Sequence, residues 1–367
     1  GHICPNTEKW LRLGPFGLLQ EAEEKIKSAP EQKKDFYSSV IIVQKAAITF
    51  IKRYAEMAAE MAGKSDYSEY KDNLLQISEI CMKLSEKPAE TFHEALQSLW
   101  FLYVILQMES NASSFSPGRA DQYLYPYYKN DLDSGLLTKQ DALELVEALW
   151  LKFNQIVYLR NSHSAKYFAG FPIGFNIACG GQTIDGKDAS NDLSFLFLKA
   201  QSHLLLPQPN LSARLFSGSS EEFVDECSRV IGLGSGIPQI FNDEGVIPAL
   251  KNVGIKNEDA SNYAIVGCVE LTTHGNNLGW SDAAMFNLQK ALELTLTNGQ
   301  CLLSGKQMGV KTGSLPDYTS YEELETALET QLDHYIDRMI KCCEFVDRTH
   351  AEVLPSAFLS SVIDNCI

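Results

Sequence analysis

The chain has 367 residues, 45% of them hydrophobic and 21% charged, which is the composition of a globular protein with a large core. Its 31 basic residues face 47 acidic ones, and the formal net charge of -16 excludes DNA and RNA as primary ligands, because their binding needs a concentrated basic surface. No apolar run is long enough to span a bilayer and the start of the chain has no secretory pattern, so we expect no membrane association.

Nine cysteines, an odd number, are spread along the chain without the paired short spacings of a zinc site or a disulfide scaffold. His2 and Cys4 lie two residues apart but have no matching pair downstream. We therefore expect reduced thiols in a cytoplasmic protein, and no metal site. The sequence begins without methionine and stops inside an apolar segment, so we expect a central fragment of a longer polypeptide.

Residues 1–160 are expected to form a mainly helical part. Apolar residues at helical spacing predict helices over 21–27, 31–62, 70–85, 92–108, 122–130 and 138–157. Thr91, with Glu94 three residues later, and Thr138 are suited to helix N-caps.

Residues 161–367 have a different pattern, in which strands alternate with helices. Strands are predicted over 175–181, 210–215, 237–241 and 263–270, and helices over 191–203, 220–232, 245–251, 283–303 and 321–346. Strands separated by helices favour parallel pairing and an α/β layer or barrel, in which ligands gather at the strand ends.

Cys268 and Glu270 end one of these predicted strands. Residues i and i+2 of an extended segment point to the same side, so the thiol and the carboxylate can share one cavity and one substrate. The following loop contains Gly275 and Gly279, which allow the backbone to approach a ligand closely. The alternative is a buried core cysteine beside a solvated glutamate.

Three further side chains have either a structural or a ligand-binding interpretation. Arg119 is suited to a carboxylate clamp, or to an ion pair with Asp121 or another acid. Asp282 begins the helix predicted from residue 283, where it caps the helix or contacts a substrate.

Four motifs, taken in chain order, resemble those of the glycyl radical enzymes, which belong to the pyruvate formate-lyase-like superfamily. They are GHxCPxxEKxLxxG, SPGRxDQYLYPYY, GCVE and GWSDAAMFNLxKALELTLxNG, and together they extend the resemblance over essentially the whole chain. The resemblance is to the dehydratase and eliminase branch, which includes glycerol and propanediol dehydratases, choline trimethylamine-lyase and hydroxyproline dehydratase. Leu271 replaces the proline that usually follows GCVE, and the C-terminal radical loop of the family is absent, so we expect the chain to be inactive alone.

The resemblance implies a fold and a set of site residues. The fold is a ten-stranded α/β barrel, of which this chain supplies about half together with the helical N-terminal portion. Cys268 matches the cysteine that becomes a thiyl radical, and Glu270 matches the carboxylate that acts as base. The residues implied to bind the substrate are His2, Asp121 and Asp282, with Arg119 contributing only if its side chain turns inward.

The resemblance also implies cofactors and partners. The family holds no bound organic cofactor; its glycyl radical, here on the missing C-terminal segment, is installed by a separate S-adenosylmethionine-dependent iron-sulfur activating enzyme under anaerobic conditions. The full-length protein is expected to be a homodimer and a carbon-oxygen (or carbon-nitrogen) lyase, of the dehydratase type, that acts on a small diol, polyol or amino alcohol. The alternatives are an arylacetate-type decarboxylase, a formate acetyltransferase-like enzyme, an inert α/β scaffold, and a thiolate hydrolase that uses His274.

Overall fold

The computed structural model describes residues 2–110, 114–157, 159, 162, 164–166, 174–277 and 284–367. They form two compact units, one made of residues 1–280 and 356–367 and the other of residues 281–355. Within the described ranges, no helix combines the length and the apolar character that crossing a membrane requires.

Seven helices open the first unit: α1 (Thr7–Ser28), α2 (Glu31–Ala62), α3 (Lys71–Leu84), α4 (Phe92–Ser110), α5 (Ala120–Tyr123), α6 (Tyr125–Asp133) and α7 (Lys139–Phe153). Two of the predicted caps are confirmed. Thr91 and Glu94 exchange hydrogen bonds of 3.2 and 3.3 Å between backbone and side chain, and Thr138 forms a capping box with Asp141. The prediction began α1 too late, because the positive φ of Gly14 (61°) kinks the helix and interrupts its apolar period.

A parallel sheet follows, in the strand order β1 (Asn176–Gly180), β2 (Asn210–Leu215) and β3 (Gln239–Asn242). Helices α8 (Asp192–Leu204) and α9 (Glu221–Ile231) connect these strands. The predicted parallel pairing is confirmed, with Ile177 opposite Leu211 and Ala213 opposite Ile240. Helix connections of this kind are what parallel neighbours require.

The N-terminal segment extends this sheet beyond β1. The Ile3 amide donates to the Ser114 carbonyl at 3.1 Å, and the Ser116 amide donates back to Ile3 at 2.9 Å. The segment that contains Ser114 and Ser116 continues to Gly118, whose carbonyl accepts a hydrogen bond from the Ala178 amide of β1 at 2.8 Å. The start of the chain is therefore held beside the sheet, although the described strands do not close into a barrel.

A β-hairpin comes after α10 (Asp243–Asn252) and α11 (Asn257–Ser261), and consists of β4 (Ala264–Val266) and β5 (Glu270–Thr272). The prediction of one strand over 263–270 is wrong, because Gly267 has a φ of 60° and the chain reverses there. Tyr263 and Ile265 pack with Ala178 of β1, so the hairpin is anchored on the sheet.

The second unit contains α12 (Leu288–Leu296) and α13 (Tyr321–Val353). The helix predicted over 283–303 is wrong in its extent, because the chain turns at Asn298 and Gly299, whose φ values are 51° and 80°. Helix α14 (Ala357–Ser361) belongs to the first unit, where the amides of Phe358 and Leu359 donate to the carboxylate of Glu109 at 2.7 and 3.0 Å.

Candidate active site

Cys268 lies in the turn of the β4–β5 hairpin and is exposed. The turn replaces the extended segment from which the sequence argument placed Cys268 and Glu270 on one side, so that argument is wrong in its geometry. The hairpin nevertheless keeps the two residues together, since Glu270 is the first residue of β5 and pairs with Val266 across the turn. The thiol is thus presented at the tip and the carboxylate at the base of the same turn.

The Glu270 carboxylate is held by two neighbours. His2 Nδ1 lies 3.2 Å from Glu270 Oε1, and the Val269 amide donates to Oε2 at 3.2 Å. The side chains of His2 and Glu270 are 14% and 19% exposed, so the pair is largely shielded from water. Two of the four motifs, GHxCPxxEKxLxxG and GCVE, therefore contact each other in the fold.

Gly267 is packed tightly against this pair, and Gly267→Ala tests the packing. A Cβ at this position would lie 2.5 Å from Glu270 Oε2 and 2.8 Å from His2 Nδ1. We expect Gly267→Ala to displace the pair and, if the full-length protein carries out the reaction that the resemblance implies, to lower its turnover at least about tenfold, the scale of a small misplacement of reacting groups. The measurement is steady-state kinetics.

Gly135→Ala is the matched control for this substitution. Gly135 has a similar φ of 72°, but a Cβ added there would meet no atom within 4 Å, so alanine brings the same backbone strain without the contact. Both variants should lose about 1–2 kcal/mol of stability from the left-handed conformation. Equal activity of the two variants would contradict the tight packing at Gly267.

A second contact joins the same two segments. Cys4 Sγ lies 3.2 Å from His274 Nδ1, and the Gly275 amide donates to the Cys4 carbonyl at 2.9 Å. His274, the histidine that a thiolate hydrolase would need beside Cys268, is thus engaged by Cys4. Sequence reasoning missed this pair, although the GHxCP motif contains one of its members.

Burial of His274 makes stability depend on pH. Desolvation, opposed by Asp364 and assisted by Arg119, lowers its pKa from 6.5 to about 4. Between these two pH values the unfolded state binds a proton at His274 and the folded state does not. The contribution of His274 to the free energy of unfolding is therefore fully present above pH 6.5 and is lost as the pH falls towards 4. The loss contributed by this one residue is about 3 kcal/mol.

Denaturant unfolding at several pH values, compared between the native protein and His274→Asn, measures this contribution. Asparagine has no proton to gain in this range, so its curve should fall less steeply between pH 6.5 and 4. Parallel curves would show that His274 does not titrate as its burial requires.

Arg119 and Asp121 both bind the peptide groups of Gly180, at the end of β1. Arg119 Nη2 donates to the Gly180 carbonyl at 2.8 Å and Nη1 donates to the Ser261 carbonyl at 3.3 Å. Asp121 Oδ2 accepts from the Gly180 amide at 2.8 Å and from Ser194 Oγ at 2.6 Å. The pair therefore connects β1 to its neighbouring helices rather than forming a simple ion pair.

Burial dominates the electrostatics of both groups. It lowers the pKa of Arg119 to about 10, assisted by the nearby Arg214, and it raises the pKa of Asp121. Asp282, the remaining predicted site residue, lies outside the described residues. Among the described residues, no group of three or more His, Cys, Asp or Glu side chains is arranged to hold a metal ion.

These features define a class of protein. The family model described as Pyruvate formate lyase-like matches residues 1–367, and the chain belongs to this family. The predicted membership is confirmed, and with it the family fold.

Individual relatives give a more specific comparison. The (2S)-3-sulfopropanediol dehydratase of Klebsiella oxytoca is 33% identical over 374 residues, covering 100% of this chain and 45% of the relative. The glycerol-bound B12-independent glycerol dehydratase of Clostridium butyricum has a TM-score of 0.91 at 40% identity, covering 100% of this chain and 47% of the other. A structure from Roseburia inulinivorans concerned with 1,2-propanediol dehydration has a TM-score of 0.92 at 38% identity, covering 100% and 46%. The chain thus spans about half the length of these relatives.

Proposed function

We propose that the protein containing this chain is a glycyl radical lyase of the dehydratase type, which breaks a carbon-oxygen (or carbon-nitrogen) bond in a small diol, polyol or amino alcohol. The observation that carries the proposal is the placement of Cys268 in the turn directly before Glu270, whose carboxylate is held by His2 at 3.2 Å. Its support from the comparisons is that the similar proteins include dehydratases of glycerol and of a sulfonated propanediol.

In this proposal a separate S-adenosylmethionine-dependent activating enzyme installs a glycyl radical outside these 367 residues, and that radical supplies the oxidising power to remove the hydrogen atom of the Cys268 thiol. The reaction is accordingly anaerobic, and the full-length protein is a homodimer in a cytoplasmic setting.

The first chemical step is hydrogen-atom transfer to Cys268. The thiyl sulfur takes a hydrogen atom from the substrate carbon that bears a hydroxyl, which restores the thiol and leaves a carbon radical. A carbon radical makes its attached hydroxyl much more acidic, so a nearby carboxylate can remove the proton. Glu270 follows Cys268 closely in the hairpin, and we assign this role to its carboxylate.

The second step is loss of the leaving group from the adjacent carbon. The electron density released by deprotonation expels the neighbouring hydroxyl, which accepts a hydrogen bond from His2 in this proposal, takes up the proton that Glu270 removed, and leaves as water. The product radical then recovers a hydrogen atom from the Cys268 thiol. This transfer regenerates the thiyl radical for the next turnover.

The two implied substrate-binding residues Arg119 and Asp121 favour a neutral or cationic substrate. The donors of Arg119 bind the carbonyls of Gly180 and Ser261, so this arginine is engaged by the protein rather than by a substrate carboxylate. Asp121 Oδ1 is buried and has no hydrogen-bonding partner among the described residues, which leaves one carboxylate oxygen for a substrate hydroxyl. An arylacetate-type decarboxylase would instead need a cation for its substrate.

The test is a substrate screen with the full-length protein, activated anaerobically. Glycerol, propane-1,2-diol, choline and an aromatic acetate are each supplied, and products are identified by mass spectrometry. Turnover of a diol, polyol or choline is expected. Turnover of the aromatic acetate alone would replace the proposal with the decarboxylase, and failure to form a glycyl radical signal by electron paramagnetic resonance would refute both.

Glu270→Gln separates proton transfer from hydrogen-atom transfer. Glutamine keeps the shape and one acceptor oxygen but has no basicity, so turnover should fall about 100- to 10,000-fold, the usual contribution of a general base. The glycyl radical should still form. Glu258→Gln, at an exposed carboxylate in α11, is the control and should retain full activity. Equal turnover of the two variants would show that Glu270 is not the base.

A further inference from the structure

The N-terminal segment contacts the hairpin segment at two successive points. His2 meets Glu270 with 3.2 Å between Nδ1 and Oε1, and Cys4 meets His274 with 3.2 Å between Sγ and Nδ1. Residues two apart in an extended segment point to the same side, which lets both side chains face the hairpin segment. The amide of Gly275 closes the second contact by donating to the Cys4 carbonyl at 2.9 Å.

The Cys4 thiol is closely packed on several sides. It is fully buried in a small cluster with Ala264 and Val266 of β4. Gly118 closes over it, since a Cβ there would lie 2.7 Å from Cys4 Sγ and 3.2 Å from His274 Nδ1. There is thus no room for a side chain at Gly118, and the Cys4 thiol contacts the imidazole nitrogen directly.

Both partners are neutral in this setting. Burial raises the pKa of the Cys4 thiol well above its usual range and lowers the pKa of His274 to about 4. His274 Nε2 is buried and has no hydrogen-bonding partner in the described part of the chain, so Cys4 is the residue that satisfies this imidazole. A neutral hydrogen bond in a dry site is directional, and it fixes the relative position of the two segments.

We propose that Cys4 and His274 are a positioning pair that sets the register of the N-terminal segment against the hairpin, and so holds His2 at the Glu270 carboxylate. The inference rests on the proposed function, because its consequence is the alignment of the two groups that handle the proton and the leaving hydroxyl. Neither Cys4 nor His274 needs to touch the substrate. Their effect is exerted through His2.

The experiment uses the full-length protein, activated anaerobically, with propane-1,2-diol and glycerol as substrates. Cys4→Ala removes the hydrogen bond, Cys4→Ser keeps a donor of similar size, and Cys81→Ala is the matched control. Cys81 is also buried, and its thiol pKa is raised to about 11 by desolvation alone. Each variant is characterised by kcat, KM, Tm and the amplitude of the glycyl radical signal.

We expect Cys4→Ala to lower kcat about 10- to 100-fold, the scale of a small misplacement of reacting groups. KM should stay within about threefold and the radical amplitude should be unchanged, because activation and substrate capture do not pass through His2 in this proposal. Cys4→Ser should recover most of kcat. Cys81→Ala should change Tm without changing kcat.

A second pair of variants keeps the test decisive if Cys4→Ala does not fold. Asparagine places an amide near the position of Nδ1, so His274→Asn should retain kcat within about threefold of the native value, whereas His274→Leu should resemble Cys4→Ala. Equal kcat values for Cys4→Ala and Cys81→Ala, or for His274→Asn and His274→Leu, would overturn the positioning role. Activity that survives Cys268→Ser would instead overturn the proposed function, so the two failures are distinguishable.

Discussion

Cys268→Ser is expected to abolish turnover of the full-length enzyme. A serine hydroxyl holds its hydrogen much more strongly than a thiol does, so it cannot cycle between the oxygen radical and the hydroxyl under the same driving force. The polar size and hydrogen-bonding ability of the side chain are nearly retained, which separates radical chemistry from structure. Turnover should fall at least about 10,000-fold, as when an essential reacting group is removed.

Cys342→Ser provides the comparison for this variant. Cys342 is another exposed thiol, located in α13, and its replacement should leave turnover unchanged. Both variants should bind propane-1,2-diol in an equilibrium measurement, and the glycyl radical should form in both on activation. Product formation by Cys268→Ser at more than a trace level would show that the sulfur is not the hydrogen-abstracting atom.

Asp243→Ala is expected to cause the largest loss of stability. Asp243 and Arg214 are both 0% exposed, and the carboxylate binds Arg214 Nε and Nη2, each at 2.9 Å. The Tyr263 hydroxyl also donates to Asp243 at 2.8 Å, and the guanidinium lies 3.8 Å from the centre of the Tyr263 ring. Removing the carboxylate leaves a buried, uncompensated guanidinium, which costs about 3–5 kcal/mol.

The partly exposed pair of Arg229 and Glu226 is the matched control for this change. It has the same two-point geometry, with distances of 2.8 and 2.7 Å, but it lies on the surface of α9. Glu226→Ala should therefore leave the denaturation midpoint nearly unchanged, because water solvates the freed guanidinium. The check is urea unfolding followed by circular dichroism. A similar loss in both variants would contradict the role given to burial.

The same buried network explains how the hairpin is supported. Arg214 of β2 also donates to the carbonyls of Ser261 and Tyr263 at 3.0 Å each, and Tyr263 directly precedes β4. The segment leading to Cys268 is thus fixed to the parallel sheet by charged hydrogen bonds. Loss of Asp243 should reduce activity as well as stability.

Local patterns predicted a large part of this fold. Helix α2 occupies 31–62 as predicted, because its apolar period is long and Pro30 and Gly63 bound it. The three parallel strands were also predicted, since apolar runs alternate with helical segments. The hairpin was not, because a single glycine, Gly267, decides between a continuing strand and a turn.

The candidate site depends on contacts that a local pattern does not contain. Two contacts, His2 with Glu270 and Cys4 with His274, join the start of the chain to residues more than 260 positions later. The resemblance selected Cys268, Glu270 and His2 as site residues, but only the folded chain shows how the latter two meet. Positions that look like ligands in sequence, such as Arg119, are engaged by backbone carbonyls instead.

The most direct test is a crystal structure of the full-length protein with bound propane-1,2-diol, or with whichever screened compound is turned over. We expect Cys268 Sγ to lie about 3–3.5 Å from the hydroxyl-bearing carbon that loses its hydrogen. We also expect a Glu270 carboxylate oxygen about 2.6–3.2 Å from the hydroxyl on that carbon. A bound substrate that contacts only one of the two groups, or neither, would contradict the account.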